Sequence, residues 1–209
     1  MSASKKQLWF LWLLVGMVLA VYVWSAMGPR DRFTWWLETF YTPVVVPFLI
    51  LTWRRFPLTP LVYTLIAFHL CILMVGGHYT YAEVPLFNWI RDAFGLARNH
   101  YDRLGHFFQG FVPALIVREV LLRRTPLVRG GWLLFLVTCV CLAISAAFEL
   151  FEWAVAVATG ARADAFLATQ GDPWDTQWDM FMALVGAMLA QLIFARWQDR
   201  QLRSLLETR

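Results

Sequence analysis

Residues 132–158 read WLLFLVTCVCLAISAAFELFEWAVAVA, an apolar run whose only charged residues are Glu149 and Glu152. A helix needs about 20 predominantly apolar residues to cross a bilayer, so this run is long enough for one crossing. Similar runs occur at about 8–27, 35–53, 60–78, 104–122 and 176–195. The sequence therefore predicts an all-α fold, a polytopic membrane helix bundle with about six transmembrane helices.

The composition also indicates that lipid is the solvent of this chain. Hydrophobic residues make up 60% of the 209 residues and charged residues 15%, and the mean hydropathy is +0.56. A soluble domain has roughly 25% charged residues. Six spans with short loops use the whole chain, so we predict a single integral membrane domain over residues 1–209. The basic residues lie singly or in pairs between apolar stretches, so we expect the lipid bilayer as a partner and no nucleic acid.

The distribution of Lys and Arg predicts the orientation. If the N-terminus is cytoplasmic, twelve of the 18 basic residues lie on the inner side and six on the outer side. Because basic loops are retained in the cytoplasm, this bias predicts that both termini are cytoplasmic. The longest loop, residues 79–103, then lies outside.

The 79–103 loop contains a candidate interfacial helix. Asn88, Arg91, Asp92 and Arg98 lie on its polar face. Its apolar residues recur at helical spacing and are Leu86, Phe87, Ile90, Phe94 and Ala97. We expect a short helix that lies on the outer membrane surface or caps the bundle. In the second span, Pro43 and Pro47 predict a kink.

Ionisable residues inside spans are the strongest indication of function, because each costs about 2.5–3.5 kcal/mol at the centre of a helix on insertion scales. Glu149 and Glu152 lie three residues apart and share a helical face, so their repulsion calls for a cation or a proton. The alternative is that Glu152 reaches water at the outer interface while Glu149 pairs with an arginine.

The sixth predicted span begins with a row of acids. Asp172, Asp175 and Asp179 share one helical face, and Gly186 continues that face and would let a neighbouring helix approach closely. Asp172 also suits the N-cap position, with Pro173 as the first helical residue. Asp179 lies a full turn deeper, where capping does not explain it.

The fourth predicted span begins NHYDRLGHFFQG, residues 99–110. Asp102 and His106 are four residues apart, and Gln109 extends the same side. Asp102 would either orient the imidazole of His106, as acids do around metal sites, or cap the helix. His78 lies at the outer end of the third span, where an interfacial aromatic belt is the alternative to a supporting role.

The predicted topology brings these residues to the outer ends of different helices and so predicts one outward-facing acidic and histidine site. Carboxylates with imidazole suit a divalent metal ion. The candidate metal ligands are His106, Glu149, Glu152, Asp175 and Asp179. The candidate catalytic residues are Glu149, Glu152, Asp179 and His106, and the candidate supporting residues are His78, Asp102 and Gln109.

Four segments in this order resemble the YjdF family of bacterial inner-membrane proteins. They are GGHYTYAEVPLFNW (76–89), NHYDRLGHFFQGFVPAL (99–115), FELFEW (148–153) and QGDPWDTQWDM (170–180). The resemblance covers nearly the whole chain and implies a location in the inner membrane, but no particular reaction.

A looser similarity is to VanZ-like membrane proteins. Their four-helix core has an Asp and a His opening one helix, a Glu on the next, and an Asp followed by small residues on the last. The matching residues here are Asp102, His106, Glu149, Asp179 and Gly186. This chain differs in having two further N-terminal spans and a longer outer loop.

Three functions fit these features. The first is binding of a divalent metal or a lipid-linked or small periplasmic substrate, with metal-dependent hydrolysis or lipid modification as the candidate enzymatic role. The second is a proton-coupled transporter in which Glu149, Glu152 and Asp179 relay protons. The third is a structural membrane protein whose buried acids pair with Arg103 or Arg162.

Overall fold

The computed structural model describes residues 5–160 and 164–207, and these described residues form helices without strands. The helices in chain order are α1 (Lys5–Ala26), α2 (Arg32–Thr39), α3 (Thr42–Thr52), α4 (Pro60–Tyr79), α5 (Pro85–Phe94), α6 (Tyr101–Arg124), α7 (Gly131–Thr159), α8 (Asp164–Leu167) and α9 (Asp175–Glu207). Six helical stretches are long and apolar enough to cross a membrane, one of them being the α2–α3 pair. The predicted all-α architecture with six spans is therefore confirmed.

The second span is two helices rather than one kinked helix. α2 ends at Thr39 and α3 begins at Thr42. The physical reason is Pro43, because a proline ring clashes with the carbonyl of the residue four positions earlier, which here is Thr39. Pro47 remains inside α3. The prolines interrupt the second span as the sequence predicted, but the interruption is a break at Phe40 and Tyr41 instead of a bend.

The most extensive helix interface joins α6 and α9. Two glycines allow their backbones to approach closely. A Cβ at Gly110 would overlap the carbonyl oxygen of Ala183, and a Cβ at Gly186 would overlap that of Phe107. Small residues commonly permit such close contacts between membrane helices. The predicted role of Gly186 is thus confirmed, and the contact holds the N-terminal ends of α6 and α9 side by side.

The predicted helix in the long loop is present as α5. Leu86, Trp89 and Phe94 are exposed on it, while Phe87 packs against Tyr101. The helix ends at Phe94, and Gly95 caps it with a left-handed φ of +61° that suits glycine. Ala97 therefore lies beyond the helix, contrary to the spacing argument. α9, in turn, extends well past the predicted end at residue 195, to Glu207.

Candidate functional site

The N-terminal turns of α6 and α9 and the C-terminal half of α7 bring four predicted residues together. Asp102 and His106 lie on α6, Glu149 on α7 and Asp179 on α9, and all four are buried. One ligand atom each from Asp102, His106 and Asp179 lies within 4.8 Å of the other two. Acids on three different helices therefore converge on one imidazole.

Both ring nitrogens of His106 face oxygen atoms. Nε2 lies 3.6 Å from Asp102 Oδ1 and 3.8 Å from Asp179 Oδ1. On the other side of the ring, Nδ1 lies 3.2 Å from Gln109 Oε1 and 3.6 Å from Glu149 Oε1. With the proton on Nδ1, the ring donates to Gln109 and directs the lone pair of Nε2 between the two aspartates. This is the arrangement in which histidine binds metals in proteins.

Two buried arginines, Arg98 and Arg103, form ion pairs with the aspartates of the cluster. Arg98 Nη1 lies 2.5 Å from Asp175 Oδ1, and Arg103 Nη2 lies 2.6 Å from the same oxygen. Arg103 also forms an ion pair with Asp179. The side chain of Asp172 lies 3.2 Å from Arg103 Nη2 and 3.5 Å from Arg98 Nη1. Asp175 is thus held by both arginines through one oxygen, whereas Asp102 lies farther from them, at 3.7 Å from each.

The structure corrects the positions that the sequence predicted for Arg98 and Asp172. Arg98, expected on the polar face of a surface helix, follows the end of α5 and is buried in the cluster. α9 begins at Asp175, so Asp172 is not its N-cap; Asp172 accepts from the backbone N–H of Trp174 in the preceding turn. Pairing of acids with Arg103 is observed, whereas Arg162 lies outside the described residues.

Neither Glu149 nor Glu152 matches the alternative in which Glu152 reaches water and Glu149 pairs with an arginine. Glu149 lies beside His106 rather than an arginine, and its Oε1 has no hydrogen-bond partner among residues 5–160 and 164–207. Glu152 is only 8% exposed and forms no ion pair with a residue in those ranges. It is an electrostatic neighbour of His106 and Glu149.

A further acid, Glu38 on α2, belongs to the same region and was not among the site residues predicted from the sequence. It is 4% exposed and is an electrostatic neighbour of Asp102 and His106. The close packing of α2 on α4 places it there, because the Cβ of Glu38 lies against Gly77. The signal was available in the sequence, since Glu38 lies within the apolar second span.

The other histidines form no ion pair with the described acids of the cluster, although His69 is an electrostatic neighbour of His106. His78 Nδ1 is 2.9 Å from the carbonyl oxygen of Ser25, and its ring stacks on Trp24, so its contacts are with α1. His69 lies in the middle of α4, and its Nε2 is buried without a hydrogen-bond partner among the described residues. At the start of α6, partial burial and the nearby arginines lower the pKa of His100.

Acids outnumber bases in this region. The cluster contains seven acids, two arginines and His106. The acids are Glu38, Asp102, Glu149, Glu152, Asp172, Asp175 and Asp179. Burying an unpaired charge is unfavourable, so such a group takes up protons or binds a cation. The acids of this region therefore either hold protons or balance a bound cation.

Comparisons with known proteins agree with the membrane assignment. A family profile described as "Predicted membrane protein (DUF2238)" matches residues 10–200. The inner membrane protein YjdF of Escherichia coli (strain K12) is 53% identical over 183 residues, which is 88% of either chain. The comparison with solved structures found no match. The predicted resemblance to the YjdF family is confirmed, as is the nature of the chain as a multi-pass inner-membrane protein.

Proposed function

This chain belongs to the DUF2238 family of membrane proteins, and on that premise we propose that it binds a divalent metal ion through Asp102, His106 and Asp179. The observation that carries the proposal is the convergence of one ligand atom from each residue within 4.8 Å. One imidazole and two carboxylates form a ligand set that suits zinc or manganese better than calcium, which prefers oxygen ligands alone.

The surroundings of His106 support this ligand set. Gln109 and Glu149 both face Nδ1, so they would fix the tautomer and leave Nε2 for the metal. Arg103 contacts Asp179, but a carboxylate has about four lone-pair positions and can bind an arginine and a metal together. Glu149 and Glu152 were proposed from the sequence as ligands. Glu149 faces Nδ1 and serves instead to orient the ring, and Glu152, an electrostatic neighbour of His106, balances charge.

The location of the site suggests its substrates. The Lys and Arg distribution supports a periplasmic position for the N-terminal ends of α6 and α9, where the site would serve a small periplasmic or lipid-linked substrate. When bound, a divalent metal of this kind lowers the pKa of a coordinated water and makes it a nucleophile at neutral pH. Glu149, with an oxygen that has no hydrogen-bond partner among the described residues, is suited to accept a proton.

The proposal is tested by metal titration of the detergent-purified protein after chelator treatment. We expect one zinc or manganese ion per chain, and we expect His106→Ala and Asp179→Asn to abolish stoichiometric binding. The matched control is His78→Ala, because His78 is a histidine of intermediate burial whose contacts are with Ser25 and Trp24 instead of the cluster. Absence of bound metal, or equal binding by His106→Ala and wild type, would refute the proposal.

The arginine contacts favour a second candidate, a structural role for part of the cluster. Arg98 and Arg103 share Asp175, and together they connect the segment before α6 with the start of α9. In this role the acids and arginines fix the bundle without a ligand. Double neutralisation of Arg98 and Asp175 would then lower the melting temperature of the metal-free protein.

A further inference from the structure

A cavity lies at the end of the bundle away from the proposed metal site, between α6, the start of α7 and α9. The space open to the centre of a water molecule is about 170 Å³, whereas about 10–15 Å³ is enough to hold one water. The cavity is partly open to the outside, and its wall consists of Arg118, Gly130, Leu133, Leu134, Gln191 and Ala195. A guanidinium group and a carboxamide in the wall suit a polar ligand.

Arg118 contributes a guanidinium group with unused donors. The residue is 5% exposed. Its Nη1 donates to Gln198 Oε1 at 3.0 Å and lies 2.9 Å from Asp199 Oδ1. An arginine has five N–H donors, and no residue in 5–160 or 164–207 accepts a hydrogen bond from Nε or Nη2 of Arg118. Because buried polar groups are nearly always hydrogen-bonded, these donors in the cavity wall indicate an acceptor inside the cavity.

The N-terminus of α7 lies at the same cavity. Its N-cap residue, Gly130, has no side chain that could accept a hydrogen bond from the first turn. The amide of Leu134 donates to the carbonyl of Gly130, so the N–H groups of residues 131–133 have no partner within the helix. Unpaired N–H groups and the helix dipole together attract anions. The ligand accepted by Arg118 is therefore expected to be negatively charged.

The charge balance around the cavity also favours an anion. Asp199 is shared between two arginines, with Oδ1 at 2.9 Å from Arg118 Nη1 and Oδ2 at 2.9 Å from Arg129 Nε. The other acid at this end, Glu119, lies 2.6 Å from Arg123 Nη1. One carboxylate between two guanidinium groups leaves one positive charge without a counter-charge among these residues, and a bound anion would balance it.

Gln191 adds a hydrogen-bond acceptor to the wall. It is buried, and its Nε2 lies 3.2 Å from Thr138 Oγ1 and 3.2 Å from the carbonyl oxygen of Ala187. These contacts occupy the amide donors and leave Oε1 without a partner in the described part of the chain. A carboxamide oxygen accepts hydrogen bonds, so the ligand should carry a hydroxyl group close to its negative charge.

Exposed tryptophans indicate the depth of the cavity in the membrane. Trp132 on α7 and Trp197 on α9 are exposed close to the cavity-lining residues Leu133 and Ala195. Tryptophan is enriched where membrane helices cross the membrane–water interface. The cavity is therefore at the level of lipid headgroups, within reach of both lipid phosphates and soluble anions.

We propose that this cavity binds an anionic phosphate group through Arg118 and the N-terminal amides of α7, with Gln191 accepting a hydrogen bond from a ligand hydroxyl. Hydrogen bonds between arginine and phosphate are among the strong, charge-assisted kind. The same chemistry is offered by inorganic phosphate, which carries a P–OH group, and by phosphatidylglycerol, which carries glycerol hydroxyls. The site lies at the other end of α6 from Asp102 and His106 and does not require the metal proposed there.

Calorimetric titration of the full-length protein tests the inference. Protein freed of lipid in a neutral detergent is titrated with inorganic phosphate, phosphatidylglycerol or phosphatidylcholine in the presence of EDTA. We expect one anion to bind per chain and to be preferred over the net-neutral phosphatidylcholine. Arg118→Gln should weaken this binding about tenfold or more, as for loss of a hydrogen bond to a charged group. Binding of phosphatidylglycerol alone would assign the site to a lipid headgroup, and competition by inorganic phosphate would assign it to the phosphate group itself.

The matched control for the arginine variant is Arg123→Gln. The side chains of Arg118 and Arg123 are both 6% exposed, and both lie at this end of α6. Arg123 pairs with Glu119 and is not part of the cavity wall. Its loss should leave anion binding within about twofold of wild type, because only the general positive charge changes. Equal weakening by the two variants, or no preference for either anion over phosphatidylcholine, would overturn the inference.

Ala195→Leu protects the test against misfolding of the arginine variant. The larger side chain fills the cavity, keeps every polar group and replaces one good helix former with another. We expect an unchanged or higher melting temperature of the ligand-free protein and at least tenfold weaker anion binding. Ala143→Leu on the exposed face of α7 is the control and should bind as wild type does. Wild-type affinity of Ala195→Leu would show that the anion is not bound in this cavity.

Discussion

At the scale of single residues, the acids of the site are of two kinds: some are bound by arginines, and others have an oxygen without a hydrogen-bond partner in the described part of the chain. Asp175 is bound by two guanidinium groups, whereas Glu149 has an oxygen with no hydrogen-bond partner in the described part of the chain. His106 lies between these two kinds of acid and contacts both Asp179 and Glu149. Variants of His106 therefore separate the proposed binding role of this cluster from a purely structural ion-pair network.

Gln109 is predicted to set the metal affinity without contacting the metal. Its Oε1 lies 3.2 Å from His106 Nδ1, where it would accept the proton that keeps Nε2 free. Gln109→Leu should therefore weaken zinc binding about 10–100-fold, as for removal of other partners of metal-bound histidines. Competition with a chromogenic chelator measures this change, and an unaltered affinity would show that Gln109 does not orient the ring.

Arg98 is predicted to contribute to stability more than an exposed arginine in a similar ion pair. Arg98→Met leaves Asp175 and Asp172 with less positive charge in a buried site, and loss of one partner of a buried pair typically costs about 3–5 kcal/mol. Arg30→Met removes the exposed pair with Glu83 and should cost at most about 1 kcal/mol. Thermal unfolding in detergent compares the two variants, and equal melting temperatures would contradict the buried role of Arg98.

The sequence identified most residues of the cluster but not which acids pair with which arginines. Helical spacing found Asp102, His106 and Asp179, because residues three and four apart share a face whatever the tertiary structure. Helical spacing does not reveal which acid meets which arginine, because Arg98 enters the cluster through a loop that returns after α5. The same limit applies to Tyr81, whose direction is fixed by a left-handed backbone that its own residue type disfavours.

At the scale of elements, glycines and prolines position the site. Pro43 divides the second span, and Gly77 lets Glu38 of α2 pack on α4. Gly110 and Gly186 bring α6 and α9 together, which places Asp179 beside His106. The positions of the prolines and glycines are visible in the sequence. Sequence alone does not show whether the clash of Pro43 with the Thr39 carbonyl bends the helix or breaks it at residues 40–41.

The α6–α9 contact is predicted to be intolerant of even one added methyl group. In Gly186→Ala the new Cβ overlaps the Phe107 backbone, so the helices must separate at a cost of about 1–3 kcal/mol. The matched control is Gly16→Ala on α1, where nothing lies within 4 Å of the added Cβ and helix propensity favours alanine by about 0.5–1 kcal/mol. A lower melting temperature and weaker metal binding are expected for the first variant only; similar behaviour of both would contradict the close packing.

At the scale of the whole molecule, two buried polar clusters lie at opposite ends of an apolar bundle. At the end away from the site, Arg118 lies 2.9 Å from Asp199, and Arg123 lies 2.6 Å from Glu119. Fully buried Ala114 and Leu115 belong to the apolar core between the clusters. None of the hydrogen bonds among the described residues links one cluster to the other.

The orientation of the bundle is predicted to place the site on the periplasmic side. The twelve-to-six distribution of Lys and Arg predicts that both termini lie in the cytoplasm. Green fluorescent protein folds in the cytoplasm, and alkaline phosphatase requires the periplasm to form its disulfides. A C-terminal fusion to the former should be fluorescent, while one to the latter should be inactive. The reverse pattern would place the acidic site in the cytoplasm.

The metal site is tested most directly by X-ray absorption spectroscopy of the purified protein loaded with one equivalent of zinc. The ligand set of Asp102, His106 and Asp179 predicts one nitrogen at about 2.0–2.1 Å, oxygens at about 2.0–2.2 Å and no sulfur. The imidazole signal should disappear in His106→Ala and persist in His78→Ala. Sulfur ligands, or an imidazole signal that persists in His106→Ala, would contradict a metal centre at this site.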